Sequence, residues 1–302
     1  MSQIKYTAVA VVSLCIISII FFKGAENVPP QKHELKLVVP LGTPVIFLKN
    51  PFADVVLKAK SAYIIDLEKH VSLFKLNSTL QLPLASLTKI MTAISAEKLS
   101  TTTTEVVISA KSLKQEGDNG LRPGEKWKLS DLLKFTLLVS SNDGASAIAG
   151  AFTGFVDAMN QNARDIGLPQ TYFMNESGLD VSRGLSGGYG SAEDVAKLFE
   201  YAVSHYPDIF LVTKEKKGVF VSENNISHVG ENTNKVVSDI PGLIASKTGT
   251  TDLAGGNLVI EFLPKEGHPV IIVVMGSTID GRFDDMLTLV HATKNYFDSL
   301  KI

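Results

Sequence analysis

Apolar and polar positions follow two different periods along the chain, which predict strands near both ends and helices between them. Tyr63 to Leu67 and Val71 to Leu76 are short apolar runs separated by Glu-Lys-His, a pattern typical of a β-hairpin. Near the other end, GNLVIEFLP and HPVIIVVMGST predict two strong strands. The segment RFDDMLTLVHATKNYFDSL then predicts a final helix.

Four segments between these strands have the pattern of helices. ASLTKIMTAISAEKLS is the first, and LKLSDLLKFTLLVSS is the second, with Ser130 as its expected cap. SNDGASAIAGAFTGFVDAMNQNARDIG predicts one helix that ends at Gly167, and SAEDVAKLFEYAVSHYP begins with Ser191 and Asp194 in a capping-box-like arrangement. Strands that flank a helical middle predict an α+β fold, with one sheet built from both chain ends.

The first residues form a separate apolar segment. Tyr6 to Phe22 contains no charge, with Lys5 before it and Lys23 after it. This length lies between those of a signal-peptide core and a membrane-spanning helix. Cleavage after Ala25 would place Lys23 at the −3 position, where a small residue is expected. We therefore favour an uncleaved N-terminal membrane anchor over residues 1–25 rather than a removed signal segment.

Composition narrows the possibilities for the remaining chain. The 302 residues suffice for one large domain, and five prolines within residues 26–56 predict a linker before a folded domain over 57–302. The net charge of -2 gives no basic surface for nucleic acid. Cys15 is the one cysteine and lies in the apolar segment, which excludes disulfides and cysteine chemistry elsewhere. The six histidines offer no pair of metal ligands, and we expect them at surfaces and strand ends.

The phrase LPLASLTKIMTA raises a chemical question, because Lys89 follows Ser86 on the same face of the predicted helix. A serine hydroxyl is a weak nucleophile until a base removes its proton. A lysine is such a base only where its pKa is lowered. Taken alone, the pair is better explained as a capped helix with a surface lysine.

Two later motifs change this interpretation. VSSNDGASA places Ser140 and Asn142 at the end of an apolar helix, and IASKTGTT places Lys247, Thr248 and Gly249 before a strand pair. Each motif alone has an ordinary structural explanation, as capping residues and as an edge strand. Together they follow the order Ser-x-x-Lys, Ser-x-Asn and Lys-Thr-Gly, which is the motif set of penicillin-binding proteins and class A β-lactamases.

From about Ala62 to Phe297 the chain resembles the serine penicillin-recognising enzymes, and among them the low-molecular-mass D-alanyl-D-alanine carboxypeptidases. The phrases LPLASLTKIMTA, LLVSSNDGASAIA, TYFMNESGLD and IPGLIASKTGTTDLAGGNLV carry this resemblance. It implies a β-lactamase/DD-peptidase-like fold, in which an antiparallel sheet lies beside a mainly helical subdomain. Glu176 departs from the family, which usually has proline at this position.

The resemblance implies catalytic roles for the first two motifs. Ser86 would attack the carbonyl carbon of the penultimate D-Ala and form an acyl-enzyme, and Lys89 would take its proton. Ser140 and Asn142 would complete the polar cage, with Ser140 as a proton shuttle to the leaving amine. Lys247, across the cleft, would keep the pKa of Lys89 low.

The third motif would bind the substrate. Lys247 would attract the terminal carboxylate, which Thr248 and Thr250 would hold. Gly249 would leave room for the peptide against the strand. The backbone N–H groups of Ser86 and Thr250 would form the oxyanion hole.

The resemblance also implies partners and a location. The substrate would be the peptidoglycan stem pentapeptide, β-lactam antibiotics would be acylating inhibitors, and no metal or organic cofactor would be needed. The enzyme would act in the bacterial envelope, on the outer face of the cytoplasmic membrane, and would contact the membrane through its N-terminal segment. No nucleic acid partner is expected.

Three alternatives remain open on the sequence. A class A-like β-lactamase uses a glutamate, usually in Glu-x-x-Leu-Asn, and the run from Glu176 to Asp180 comes close to this pattern. A DD-endopeptidase or transpeptidase would share the serine chemistry and differ in the acceptor or the leaving group. A penicillin-sensing module would form the acyl adduct without turnover.

Overall fold

The main sheet combines strands from both ends of the folded chain. The computed structural model describes residues 50–100, 104–117 and 119–300. The antiparallel sheet contains, in spatial order, β10 (Leu243–Thr251), β11 (Gly255–Lys265), β12 (His268–Ser277), β1 (Ser61–Asp66) and β2 (Val71–Leu76). The predicted α+β fold, with one sheet built from both chain ends, is confirmed.

Three small antiparallel sheets contain the remaining strands. The first joins β3 (Leu82–Pro83), β7 (Gly188–Gly190) and β6 (Tyr172–Phe173). The others are β4 (Glu105–Val107) with β5 (Lys126–Lys128), and β8 (Lys217–Val221) with β9 (Ser227–Glu231).

The helices cover both faces of the main sheet. They are α1 (Thr88–Leu99), α2 (Leu129–Val139), α3 (Asn142–Gly150), α4 (Phe155–Ile166), α5 (Ala192–His205), α6 (Pro207–Phe210) and α7 (Gly281–Ser299). Alternate residues of β12 point to opposite faces, as the pleat of a strand requires. Ile272 and Val274 pack in the cluster that includes α7, whereas Ile271 and Val273 pack in the cluster that includes the other helices. The sheet is therefore buried on both sides.

Two predicted helix boundaries are wrong. Helix α2 begins at Leu129, and Ser130 lies inside it, because Lys128 is the last residue of β5 and the helix follows the strand directly. The single helix predicted to end at Gly167 is two helices, α3 and α4. Gly154 lies between them with φ 67°, a left-handed conformation that interrupts the helix.

Two other local predictions are confirmed, whereas one histidine departs from its prediction. Gly167 ends α4 with φ 78°, and the Ser191 hydroxyl caps α5 by accepting the Asp194 N–H. His228, expected at a surface or a strand end, is instead buried on β9, where Nε2 lies 3.1 Å from Oε2 of Glu125. This polar contact explains how the sheet can bury a histidine there.

The described chain joins the core before its first strand. Phe52 is buried, and its ring lies 5.8 Å from that of Phe74 and 6.0 Å from that of Tyr296. The predicted membrane anchor over residues 1–25 lies outside the described residues. Among the residues that are described, no helix has the length and apolar character needed to cross a bilayer.

Asn257 connects the sheet to the segment that leads into Ser86. Its Nδ2 donates to the carbonyl oxygens of Pro83 at 2.9 Å and Leu84 at 3.0 Å, and its Oδ1 accepts the Gly276 N–H at 2.8 Å. The side chain is 0% exposed, so water cannot replace these bonds. The position of Ser86 therefore depends on a side chain of β11.

We expect Asn257→Ala to lower the free energy of unfolding by about 3 kcal/mol, because it removes the Asn257 partner of the Pro83 carbonyl and of the Gly276 N–H and leaves the Leu84 carbonyl with the Leu87 N–H alone. This loss corresponds to a decrease in the melting temperature of roughly 6–12 °C for a domain of this size. Circular dichroism measures it, with Asn295→Ala on the exposed side of α7 as the control. Equal melting temperatures for the two variants would contradict the proposed connection.

Candidate active site

Ser86 lies on a tight turn between a strand and a helix. The 3-10 turn Ala85–Leu87 leads directly into α1, and Ala85 has φ 49°, a conformation that few residues with a side chain adopt. Edge strand β10 passes close to this turn. A Cβ atom on Gly249 would lie only 2.8 Å from Leu84 O and 3.2 Å from Ser86 N, so glycine permits this close approach.

The Lys89 amino group makes three short contacts. Its Nζ lies 2.9 Å from Ser86 Oγ, 2.7 Å from Asn142 Oδ1 and 2.9 Å from Ser177 O. The Asn142 amide is oriented by its other end, because Nδ2 donates to Glu116 O at 2.7 Å. The oxygen of this amide must therefore face Lys89. Of the three groups around Nζ, Ser86 is the one with a hydrogen to donate.

This arrangement suits a neutral lysine. Lys89 is 1% exposed, and burial lowers its pKa to about 7, while the negative charge of Glu176 opposes this change. A neutral amine has two N–H bonds and one lone pair. Asn142 Oδ1 and Ser177 O accept the two hydrogens, which leaves the lone pair facing the Ser86 hydroxyl. In this state the amine can take the Ser86 proton.

Ser140 and Lys247 form the second polar pair. Ser140 follows α2 in a left-handed conformation with φ 59°, and its N–H bonds to Thr136 O. Lys247 Nζ donates to Ser140 Oγ at 2.8 Å and to Thr248 O at 2.9 Å. The strand with the Lys-Thr-Gly motif is thereby joined to the end of the helix with the Ser-x-Asn motif.

Burial acts on both lysines. It lowers the pKa of Lys247 well below its ordinary value, and the positive charges of Lys89 and Arg282 lower it further. We expected Lys247 to be what keeps the pKa of Lys89 low. In the structure, burial is the main cause for Lys89, and the repulsion between the two amines acts on Lys247.

The remaining predicted residues line β10 next to Ser86. Thr250 is exposed on the strand, and the Thr248 hydroxyl lies 2.6 Å from that of Thr233. Arg282 Nη1 donates to Gly249 O at 2.9 Å and also contacts Thr250 Oγ1. Hydroxyls and a buried guanidinium therefore lie side by side along this edge.

Three groups at this site were not predicted from the sequence: Arg282, Thr233 and the Ser177 carbonyl. Arg282 is the second residue of α7, which follows the last strand of the sheet in the chain, and no motif relates it to the Lys-Thr-Gly strand. The fold brings it there because β10 and the start of α7 lie at the same end of the sheet. A backbone carbonyl such as Ser177 O has no side-chain signal in a sequence. Thr233 was visible only as part of the phrase NTNKVV.

Glu176 lies beside a separate cavity. Its carbonyl oxygen accepts the Thr92 hydroxyl at 2.6 Å. The residue lines a cleft of about 500 Å³, which we call the α3 cleft. Ser86 and Lys89 do not line this cleft. The cleft is lined by Ser109, Lys111, Ser112, Gln115, Ser146, Ala149, Gly150, Phe152, Gly154, Phe155, Val156, Asp157 and Glu176.

Known proteins resemble this chain in sequence and in structure. It is 29% identical over 242 residues to the D-alanyl-D-alanine carboxypeptidase DacC of Escherichia coli, a match that covers 74% of this chain and 58% of DacC. A D-alanyl-D-alanine carboxypeptidase structure from Mycobacterium tuberculosis has a TM-score of 0.71 at 27% identity, and covers 80% of this chain and 94% of that one. Penicillin-binding protein D2 of Listeria monocytogenes, in its cefotaxime-bound form, gives 0.68 at 25% identity, over 79% and 98%.

The match to curated relatives is partial in length. The chain spans about half the length of the first relatives that it matches, from 58% down to 44%. The family model described as D-alanyl-D-alanine carboxypeptidase, however, matches residues 49–278, well over half of this chain. The chain belongs to the D-alanyl-D-alanine carboxypeptidase family.

Proposed function

We propose that this chain is a serine-type D-Ala-D-Ala carboxypeptidase that removes the terminal D-alanine from peptidoglycan stem pentapeptides. The observation that carries the proposal is the 2.9 Å contact between Lys89 Nζ and Ser86 Oγ, with the lysine buried and its pKa lowered to about 7. Near neutral pH much of this amine is unprotonated, so it can serve as a general base. The carboxypeptidases among the similar proteins support the choice of substrate.

In the acylation step, Ser86 Oγ bonds to the carbonyl carbon of the penultimate D-Ala while Lys89 takes the hydroxyl proton. The N–H groups of Ser86 and Thr250 bind the negatively charged oxygen. The C–N bond then breaks, and the proton from Ser86 ends on the leaving amine by way of Lys89 and the Ser140 hydroxyl. Water hydrolyses the resulting ester and restores Ser86.

The terminal carboxylate of the substrate would lie along the edge of β10. Thr248 and Thr250 supply hydroxyl donors there, Lys247 supplies N–H donors, and Arg282 supplies positive charge. Burial strengthens these interactions, because the effective dielectric constant beside them is lower than that of water. A substrate with a free C-terminal carboxylate is favoured over one whose C-terminus continues.

β-Lactams would acylate the same serine. Opening of the ring leaves the nitrogen attached to the acyl group, so the leaving amine does not diffuse away, and the ester persists. The Listeria monocytogenes structure, a penicillin-binding protein with cefotaxime bound, supports this part of the proposal.

We expect Ser86→Ala to lower D-Ala release from a pentapeptide ending in D-Ala-D-Ala by about 10⁴-fold or more, because the nucleophile is lost. The assay measures free D-alanine, with penicillin hydrolysis followed in parallel. Ser204→Ala, on the exposed surface of α5, is the matched control and retains the activity.

Other outcomes of this assay would identify the alternatives. Fast penicillin hydrolysis without D-Ala release would make the protein a β-lactamase. Cleavage of a cross-linked dimer without release of D-Ala from the pentapeptide would make it an endopeptidase. A stable acyl adduct without any turnover of peptide would make it a penicillin-sensing module.

The pH dependence of acylation tests the base. Below the pKa of Lys89, near 7, the rate of acylation by penicillin falls about tenfold per pH unit, because only the neutral amine accepts the proton. Since the charge of Glu176 raises the pKa of Lys89, Glu176→Gln lowers that pKa and moves the rising limb to lower pH. Stopped-flow acylation measures the shift.

The control is Glu215→Gln, which removes an exposed carboxylate far from Glu176 in the sequence. We expect it to leave the pH profile of acylation unchanged. A shift of the Glu176→Gln profile to higher pH would contradict the assignment of Lys89 as the base. Normal acylation with abolished penicillin hydrolysis in this variant would instead identify Glu176 as the deacylating base of a β-lactamase.

We also propose that residues 1–25 anchor the enzyme on the outer face of the cytoplasmic membrane. The uncharged run from Tyr6 to Phe22 supports this, together with its flanking lysines. The full chain is expected to stay with membranes after an alkaline carbonate wash, whereas a chain that begins at Glu26 is released. A mature protein whose mass corresponds to a start near Glu26 would show that the segment is a cleaved signal peptide.

A further inference from the structure

The hairpin of β8 and β9 presents an apolar face to solvent. Val219 and Val229 are cross-strand neighbours and are 68% and 70% exposed, and Val221 on β8 is 49% exposed. Successive residues of a strand point to opposite faces, so these three valines share one face of the hairpin. Single exposed apolar side chains are ordinary on a protein surface, whereas adjacent ones form a patch that indicates a site of interaction.

The other face of this hairpin packs against the end of α2, so the valines cannot turn inward. Phe220 and His228 are buried on that face. A Cβ atom on Gly230 would lie 2.5 Å from Val139 Cγ1, and one on Gly218 would lie 2.8 Å from the Phe220 ring. A slip of either strand by one residue would bring valines into this narrow space. The exposure of the valines is therefore fixed by the fold.

A pair of opposite charges lies at one end of the valine patch. Lys217 and Glu231 are exposed cross-strand neighbours on the same face as the valines. Within the described part of the chain, neither of these two side chains makes an ion pair or a hydrogen bond. We call the whole outward surface the hairpin face. Its rows, from one end to the other, are Lys217 with Glu231, Val219 with Val229, and Val221 with Ser227.

We propose that the hairpin face binds the same face of a second copy of this chain. A two-fold axis parallel to the strands places β8 of one copy opposite β9 of the other and keeps each row opposite itself. Lys217 of each copy then meets Glu231 of the other, and Val219 meets Val229. A two-fold axis across the strands would instead place Lys217 opposite Val221 and leave the charges unpaired. The charges therefore select one arrangement of the two copies.

The size of the hairpin face sets the expected affinity. Its few residues from each copy are well below the about 20–30 residues a side of a standard interface. We therefore expect a weak dimer, with a dissociation constant between about 1 μM and 1 mM. The contact lies close in sequence to the candidate active site, because β9 ends at Glu231 and Thr233 contacts the Thr248 hydroxyl. The inference does not depend on the proposed activity.

Charge reversal tests the arrangement, with sedimentation velocity of the full chain in detergent as the measurement. Lys217→Glu makes the charged row entirely acidic, and Glu231→Lys makes it entirely basic. We expect each variant to raise the dissociation constant about tenfold or more, because like charges meet across the dimer. An equimolar mixture of the two variants is expected to associate as tightly as the unaltered chain, since acidic faces then meet basic ones. This recovery also shows that both variants are folded.

Two further variants test the apolar row and the place of the contact. Val229→Asp is expected to abolish association, because it brings a carboxylate into the centre of the face. Val181→Asp, at an exposed valine in the loop before β7, is the control for this change. Lys69→Glu, at an exposed lysine in the turn between β1 and β2, is the control for charge reversal. Both controls leave the dissociation constant unchanged.

Three outcomes would overturn the inference. The first is an unaltered chain that remains monomeric at about 1 mM. The second is an association that survives Val229→Asp, which would place the contact elsewhere in the chain, the segment before residue 50 included. The third is a mixture of Lys217→Glu and Glu231→Lys that remains monomeric while the unaltered chain associates, because the charged row would then not pair across the two copies.

Discussion

The candidate site depends on one buried amine with a complete set of partners. Lys89 is removed from water, and its charged form loses its hydration as a result. Asn142 Oδ1 and Ser177 O fix the directions of two N–H bonds, so the remaining lone pair points at the Ser86 hydroxyl. Burial sets the basicity of the amine, and hydrogen bonds set its orientation. Neither would suffice without the other, because a base must be both unprotonated and aimed.

The partners of this amine come from distant parts of the chain, and the topology of the fold brings them together. Ser86 and Lys89 share one helix start, Asn142 begins α3, and Ser177 belongs to the loop before β7. Strand β10 lies along the other side of the site. It reaches this position because the sheet joins strands from both chain ends. Asn257 fixes the turn of Ser86 to this sheet. A disturbance of the sheet is thereby transmitted to Ser86.

Predictions from the sequence were correct where the spacing of residues along the chain determines the local geometry. The i to i+3 spacing of Ser86 and Lys89 and the alternation in the late strands determine local geometry directly. The predictions failed where the information is not local. The helix predicted to run through Gly154 is broken because that residue adopts a left-handed conformation, which a run of small residues does not distinguish from a continuous helix. Arg282 reaches Thr250 only through the fold, since nothing in the sequence around α7 refers to the Lys-Thr-Gly strand.

The same burial that lowers the pKa of Lys89 has a cost in stability. An unfolded lysine binds its proton below pH 10.5, whereas the folded one does so only below about 7, so stability decreases as the pH falls between these values. The full difference is on the order of 5 kcal/mol at and below neutral pH. Since whole domains are stable by only about 5–15 kcal/mol, the rest of the fold must offset a large share of this cost. A main sheet buried on both faces supplies the apolar contacts that can do so.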